Sequence, residues 1–159
     1  MKIKIISVGK IKEKYLRDAI AEYSKRLGRY CKLEILEVAD EKTPDGASAA
    51  EELSVKETEG KRLLRCIRDT DYVIALVIEA KMPDSVSLAR TIEQLGVRGE
   101  SSLCFVIGGS LGLSKEVQER ADVCMSFSKL TFPHQLMRVI LLEQIYRSFR
   151  IIHGEPYHK

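Results

Sequence analysis

The sequence has no tryptophan, only four cysteines and three histidines among its 159 residues, and no apolar run long enough to cross a bilayer. Its longest apolar stretches, 72–78 and 139–142, fall far short of the roughly 20 residues that a membrane-spanning helix needs. The strand-like stretch 2–8 follows Met1 directly, so we expect no secretory signal peptide and a cytoplasmic protein.

The sequence also lacks a metal-binding pattern. Its cysteines are scattered singly in or beside apolar runs, at Cys31, Cys66, Cys104 and Cys124. No two have the spacing of a zinc pair, so we interpret them as buried thiols in a reducing compartment. The histidines, His134, His153 and His158, have no supporting cluster of cysteines or carboxylates. We therefore predict no metal.

The composition is that of a soluble globular domain, with 45% hydrophobic and 31% charged residues. The net charge is only +3. Proteins that grip bare RNA through its phosphates usually carry a denser basic patch. The charge therefore permits an RNA partner without indicating one, and the folded shape of that RNA or a protein bound beside it would have to contribute to recognition.

Strand-like and helix-like segments alternate along the chain. The hydrophobic pattern predicts strands over 2–8, 32–38, 71–79, 101–107 and 122–127. It predicts helices over 13–30, 47–68, 85–95, 115–120 and 133–152, with Ser114 as a cap and Gly60 as a kink or interruption. The first strand alternates charged and apolar residues, which favours one less buried face. This order predicts one α/β domain over 1–159, with a mostly parallel sheet and helices on both faces.

Three predicted strand ends have the character of a binding site. Segments 76–80, 107–112 and 127–132 each leave an apolar strand and enter a loop of small or polar residues. Ligands of parallel sheets bind beyond the carboxyl ends of the strands, and a flat adenosine needs apolar walls and backbone polar groups. Each loop alone also fits an ordinary strand-to-helix turn, but three in one small domain favour a site.

The glycine cluster 108–112 has two interpretations. It matches the G-x-S-x-G nucleophile elbow, which would make Ser110 the nucleophile of a hydrolase with Asp122 and one of the histidines. Against this, the chain is short for such a hydrolase and Asp122 stands at the head of a short strand. The alternative is that the glycines let the backbone approach a ligand closely.

The last predicted helix is apolar around nearly its whole circumference, apart from a stripe formed by Glu143, Arg147 and Arg150. Such a helix must be buried on more than one side, so we predict a homodimer. Glu143 and Arg147 are spaced to pair, either as a solvated salt bridge or beside a substrate. The tail 153–159 either frays or uses its histidines and tyrosine to hold an unpaired base.

Three segments together resemble the RlmH family, the pseudouridine N3-methyltransferases of large-subunit (23S) ribosomal RNA within the SPOUT superfamily. They are 105–112 (FVIGGSLG), 127–138 (FSKLTFPHQLMR) and 156–159 (PYHK). The resemblance implies a C-terminal trefoil knot and S-adenosyl-L-methionine as cofactor. On this sequence it implies cofactor contacts at Leu76, Gly108, Phe127, Ser128, Lys129, Leu130, Thr131 and Phe132.

The resemblance also implies a homodimer that acts on assembled ribosomes, with the tail completing a composite active site across the dimer. The implied catalytic residues are His134, Glu143, Arg147, Tyr157 and His158. We interpret His158 or a water as the proton acceptor, and Arg147 as the group that steadies the resulting negative charge. A non-enzymatic ribosome-binding module that takes no cofactor is a further alternative.

Overall fold

The computed structural model describes all of residues 1–159, and strands alternate with helices throughout. The elements are β1 (Lys2–Val8), α1 (Lys14–Leu27), β2 (Lys32–Val38), α2 (Ala49–Arg65), β3 (Tyr72–Leu76), α3 (Ser85–Val97), β4 (Ser102–Ile107), α4 (Lys115–Arg120), β5 (Val123–Met125) and α5 (His134–Ile152). The predicted third and fifth strands were too long at their carboxyl ends, because the chain leaves the sheet there and enters the loops of the candidate site.

The five strands form one parallel sheet in the order β2-β1-β4-β3-β5. Alternate residues of the central strand β4 face two separate cores. Leu103 and Phe105 pack with α1, α3 and α5, while Cys104 and Val106 pack with α2 and α4. The predicted α/β class, with helices on both faces of the sheet, is confirmed. The trefoil knot stays a prediction of the family resemblance.

β1 differs from its sequence pattern. Its alternating lysines predicted one less buried face, yet every residue from Ile3 to Val8 is buried. Lys4 is 2% exposed because its ammonium group pairs with the equally buried Asp71. An inward lysine with a distant partner carries the same local signature as a solvated one, so the pattern was misleading.

The expected kink at Gly60 is also wrong, since α2 runs through it without interruption. A Cβ at Gly60 would lie 2.3 Å from the hydroxyl oxygen of Ser114 and 3.3 Å from Val117 Cγ2. Glycine is therefore required there because α2 packs directly against the start of α4. The predicted cap is confirmed: Ser114 Oγ accepts a hydrogen bond from the Val117 amide at 3.3 Å.

α5 packs between α1 and α3 but does not bury its whole surface. Leu141, Leu142 and Ile145 face the core, whereas Leu136 is 37% exposed and Ile140 is partly exposed. The predicted homodimer would cover this outer side, and it stays a prediction. No helix of the structure combines the length and apolar character needed to cross a membrane.

Candidate active site

A cleft of about 770 Å³ opens at the carboxyl ends of β3, β4 and β5. It is lined by seven of the eight residues expected to contact the cofactor: Leu76, Gly108, Phe127, Ser128, Leu130, Thr131 and Phe132. Lys129, the eighth, is exposed and does not line the cleft. His134, at the first position of α5, also lines it. The three strand-end loops thus meet in one place, as parallel pairing requires.

The loop 126–133, which lines the cleft at every residue except Lys129, contains several backbone amides without a partner in the chain. Its start is held by the Ser126 amide, which donates to the carbonyl of Lys81 at 3.0 Å, and the Leu130 amide donates to Ser128 Oγ at 2.9 Å. The other amides have no partner within the chain, namely those of Phe127, Ser128, Lys129, Thr131 and Phe132. Such donors need a partner from solvent or from a ligand.

The glycine loop 108–112 also lines the cleft and folds back on itself, with the Gly112 amide donating to the carbonyl of Gly109 at 3.0 Å. A Cβ on Gly108 would lie 2.7 Å from the carbonyl carbon of Gly112, and Gly112 has a φ of +88°. A Cβ on Gly109 would lie 3.0 Å from the carboxylate of Glu59 in α2. The loop therefore requires glycine both for close packing and for its left-handed conformation.

The hydrolase triad of the alternative interpretation does not form. Asp122 Oδ2 accepts a hydrogen bond from the Val73 amide at 2.7 Å, at the amino end of β3. Ser110 lines the cleft at the carboxyl end of the same sheet. Because the two side chains lie at opposite ends of the strands, Asp122 cannot orient a histidine beside Ser110.

Four of the predicted catalytic residues form a second group, which we call the tail cluster: Glu143, Arg147, Tyr157 and His158. Glu143 Oε1 accepts hydrogen bonds from Arg147 Nη2 at 2.7 Å, from Arg147 Nε at 3.1 Å and from the Tyr157 hydroxyl at 3.0 Å. Arg147 Nη1 lies 3.1 Å from His158 Nδ1. One carboxylate thus organises the arginine and, through it, the end of the chain.

The tail is anchored rather than frayed. Arg150 pairs with Glu155 and donates to the carbonyl of Pro156 at 2.9 Å. The Tyr30 hydroxyl donates to Glu155 Oε2 at 2.9 Å. Arg150, the third member of the predicted polar stripe, therefore holds the tail and does not join the Glu143–Arg147 pair. The anchors also set the position of Tyr157.

Burial and nearby charges shift the pKa values of Tyr157 in the tail cluster and His134 in the cleft. Desolvation, reinforced by the neighbouring Glu143 carboxylate, raises the pKa of Tyr157 to about 12, so its phenol stays protonated at neutral pH. Burial, with a smaller effect from the Arg138 guanidinium, lowers the pKa of His134. The His134 ring is therefore neutral at neutral pH and able to accept a proton.

The structure separates His134 from the tail cluster within one chain. Glu143 follows His134 by nine positions along α5, which corresponds to about 13 Å of helix. No member of the tail cluster lines the cleft. The five predicted catalytic residues therefore form two groups in a protomer, and a composite site would require a second chain.

Sequence analysis missed one buried residue beside the cleft, Arg138, which is 2% exposed. Its Nη2 donates to the carbonyls of Val8 at 2.6 Å and Gly9 at 2.7 Å, and its Nη1 donates to Glu37 at 2.6 Å. Arg138 thus ties the start of α5, where His134 lies, to the ends of β1 and β2. A lone arginine in an otherwise apolar helical turn was the available signal.

Lys56 of α2 and Gln118 of α4 also line the cleft without having been predicted, because nothing in their local pattern distinguishes them from solvated helix residues. The structure contains no group of three or more histidine, cysteine or carboxylate side chains placed to hold a metal ion.

Comparison with known proteins places this chain in a family. Residues 1–158 match the family model described as "Predicted SPOUT methyltransferase". Three relatives carry the name ribosomal RNA large subunit methyltransferase H. They come from Clostridium botulinum (strain Eklund 17B / Type B, 62% identity), Bifidobacterium adolescentis (64%) and Clostridium beijerinckii (62%), each aligned over 159 residues and 100% of both chains. The resemblance drawn from the three motifs is confirmed. The chain belongs to the SPOUT family of methyltransferases, enzymes that transfer a methyl group from a donor molecule.

Proposed function

We propose that this methyltransferase transfers a methyl group from S-adenosyl-L-methionine to N3 of a pseudouridine in large-subunit ribosomal RNA, within assembled ribosomes. The observation that carries the proposal is the cleft at the strand ends, where apolar walls meet a loop of unpaired backbone amides. The names of the full-length relatives support large-subunit ribosomal RNA as the substrate. A ribosomal substrate also implies action in the cytoplasm.

The cleft suits an adenosine-containing cofactor. Leu76, Ile107 and Phe132 supply apolar walls for a flat ring, and the amides of Thr131 and Phe132 can donate to its edge. When bound, S-adenosyl-L-methionine supplies a methyl group on a positively charged sulfur, which is already a strong electrophile. The protein's main task is then to align the target nitrogen with that methyl group.

A homodimer would unite the two groups of catalytic residues. Leu136 and Ile140 leave an apolar strip on α5 uncovered, close to His134 at the start of the helix. A second copy packed on this strip would bring its own tail cluster toward the cleft. Tyr157 and His158 of one chain would then meet the target base beside the cofactor of the other, with the neutral His134 at the same cleft. We also propose that residues 1–159 form a single domain with a C-terminal trefoil knot.

The test is transfer of labelled methyl from S-adenosyl-L-methionine to intact ribosomes that lack the modification, followed by mapping of the labelled nucleotide by mass spectrometry. We expect label on a large-subunit pseudouridine, and less on free RNA. Cofactor binding is measured separately by calorimetry, and dimerisation by sedimentation.

If the protein binds the cofactor but transfers no methyl group to ribosomes, subunits or free RNA, the proposed substrate is wrong. Absence of cofactor binding by a folded dimer would favour the non-enzymatic docking module instead.

A further inference from the structure

The contact between Arg147 and His158 defines which ring nitrogen of His158 carries the proton. Arg147 Nη1 lies 3.1 Å from His158 Nδ1, within hydrogen-bond distance. A guanidinium has only donors, so the imidazole nitrogen must supply the lone pair. The proton of the ring therefore sits on Nε2, the nitrogen that faces away from Arg147.

Arg147 is not able to turn away easily from this contact. Two of its nitrogens donate to Glu143 Oε1, at 2.7 and 3.1 Å, and its guanidinium carbon lies 4.8 Å from the centre of the Tyr157 ring. Tyr157 in turn donates its hydroxyl to the same carboxylate oxygen. The hydrogen bond to His158 is thus made by an arginine that Glu143 and Tyr157 both hold in place.

His153, five residues earlier, provides an internal contrast. Its Nδ1 lies 2.9 Å from the carbonyl oxygen of Phe149, which can only accept a hydrogen bond. Nδ1 of His153 therefore carries a proton, whereas Nδ1 of His158 does not. The two tail histidines therefore carry their ring protons differently, because His158 faces a donor, Arg147, and His153 faces an acceptor, the Phe149 carbonyl.

We infer that Arg147 is a positioning residue that holds His158 in the Nε2–H form, so that His158 donates a hydrogen bond to the target base rather than accepting its proton. This inference rests on the proposed function. The lone pair at Nδ1 is already engaged, and the outward Nε2 bears a hydrogen. His158 therefore does not fill the role of proton acceptor that the sequence suggested.

The donor role fits the charge that develops on the target. The ring nitrogen loses its proton to water, and its electron pair forms the new bond to the methyl carbon. The electron pair of the broken sulfur–carbon bond stays on sulfur. Before the new bond is complete, negative charge spreads from the nitrogen to the two flanking carbonyl oxygens of the base, where an Nε2–H donor stabilises it.

The first test measures the ¹⁵N NMR signals of the histidine ring nitrogens in the full-length protein. The variants H153Q and H158Q assign them, since each variant lacks the signals of the histidine it replaces. We expect a protonated Nε2 and a bare Nδ1 for His158, and a protonated Nδ1 for His153. At a pH where both rings are neutral, Arg147→Met should shift His158 toward the mixture of Nε2–H and Nδ1–H forms of a free histidine, while His153 is unchanged. A protonated Nδ1 on His158 in the unmutated protein would overturn the inference.

The second test compares methyl transfer by two substitutions. Glutamine at position 158 can donate a hydrogen bond from its amide but cannot take up a proton, whereas alanine can do neither. We expect kcat of H158Q within about tenfold of wild type and kcat of H158A lower by about 100-fold or more, the usual loss for one such donor. Equal losses in both variants would overturn the donor role. If the unmutated protein transfers no methyl to ribosomes, the proposed function fails, and the NMR result still decides the protonation pattern.

Discussion

The buried pair formed by Lys4 and Asp71 leads to a quantitative stability prediction. Each side chain is 2% exposed, and Lys4 Nζ donates to Asp71 Oδ2 at 2.7 Å and to the carbonyl of Cys66 at 3.1 Å. Asp71 also accepts from the Arg68 amide at 2.8 Å and from the Ser102 hydroxyl at 2.7 Å. The Asp71 carboxylate therefore balances the charge of the Lys4 ammonium and satisfies three donors.

Asp71→Asn should lower the free energy of unfolding by about 3–5 kcal/mol, because it leaves the Lys4 ammonium buried without a counter-charge. That is a large part of the roughly 5–15 kcal/mol that stabilises a typical domain. The assay is urea unfolding followed by circular dichroism at one fixed protein concentration. The double variant K4M/D71N serves as control and should recover at least half of the loss, since the ammonium is gone.

A loss below about 1 kcal/mol in Asp71→Asn, or a double variant as unstable as the single one, would refute this reasoning.

The same pair predicts a pH dependence. Burial by itself raises the pKa of Asp71, but hydrogen bonds from Lys4, the Arg68 amide and Ser102 outweigh it and hold the pKa below its ordinary value. The folded protein therefore binds this proton less readily than the unfolded chain. The stabilisation is complete above the unfolded pKa of about 3.9 and is lost as pH falls through the lower folded value. Asp71→Asn should remove this acid-dependent part.

Three further predictions concern the surroundings of the cleft. Gly60→Ala should lower the free energy of unfolding by about 1–3 kcal/mol through overlap with Ser114, and Ser114→Gly in the same chain should restore most of it; no restoration would contradict the overlap. Gly112→Ala and Gly46→Ala both place a side chain at positive φ in open space and should each cost about 1–2 kcal/mol. Only Gly112→Ala should also weaken cofactor binding in calorimetry, and equal affinities would show that the loop does not contact the cofactor. His134→Gln should flatten the fall in stability as the pH drops below about 6.5, the unfolded pKa, because burial lowers the pKa of His134 in the folded protein and the neutral ring stabilises the fold above that pH. An unchanged slope in a pH series of urea unfolding would contradict it.

Much of the fold followed from local patterns. The near-continuous apolar strands predicted a sheet covered on both faces, and β3 and β4 are indeed central and buried. The loops at 107–112 and 127–132 were identified as a site because parallel strands bring their carboxyl ends to one edge. This reasoning needs only strand direction and composition, so it did not depend on the tertiary packing.

The positions that were misjudged all depend on partners far away in sequence. Lys4 was taken for a solvated strand residue, but its counter-charge lies 67 positions later. Gly60 was taken for a helix breaker, but its lack of a side chain lets the start of α4 pack directly against α2. Arg138 was quoted only as the last residue of a family motif and was given no structural role, because its partner Glu37 lies 101 positions earlier. A local pattern cannot encode which distant group will meet a side chain.

By itself, the sequence determined the alternation of strands and helices, the glycine loop, and the tail motif that marks the family, because periodicity and turn chemistry act over a few residues. Only the tertiary structure decided that His134 lies in the cleft while Glu143, Arg147, Tyr157 and His158 gather elsewhere on α5 and the tail. That division depends on how α5 packs across the sheet and how Arg150 and Tyr30 anchor the chain end, and these contacts exist only once the chain has folded.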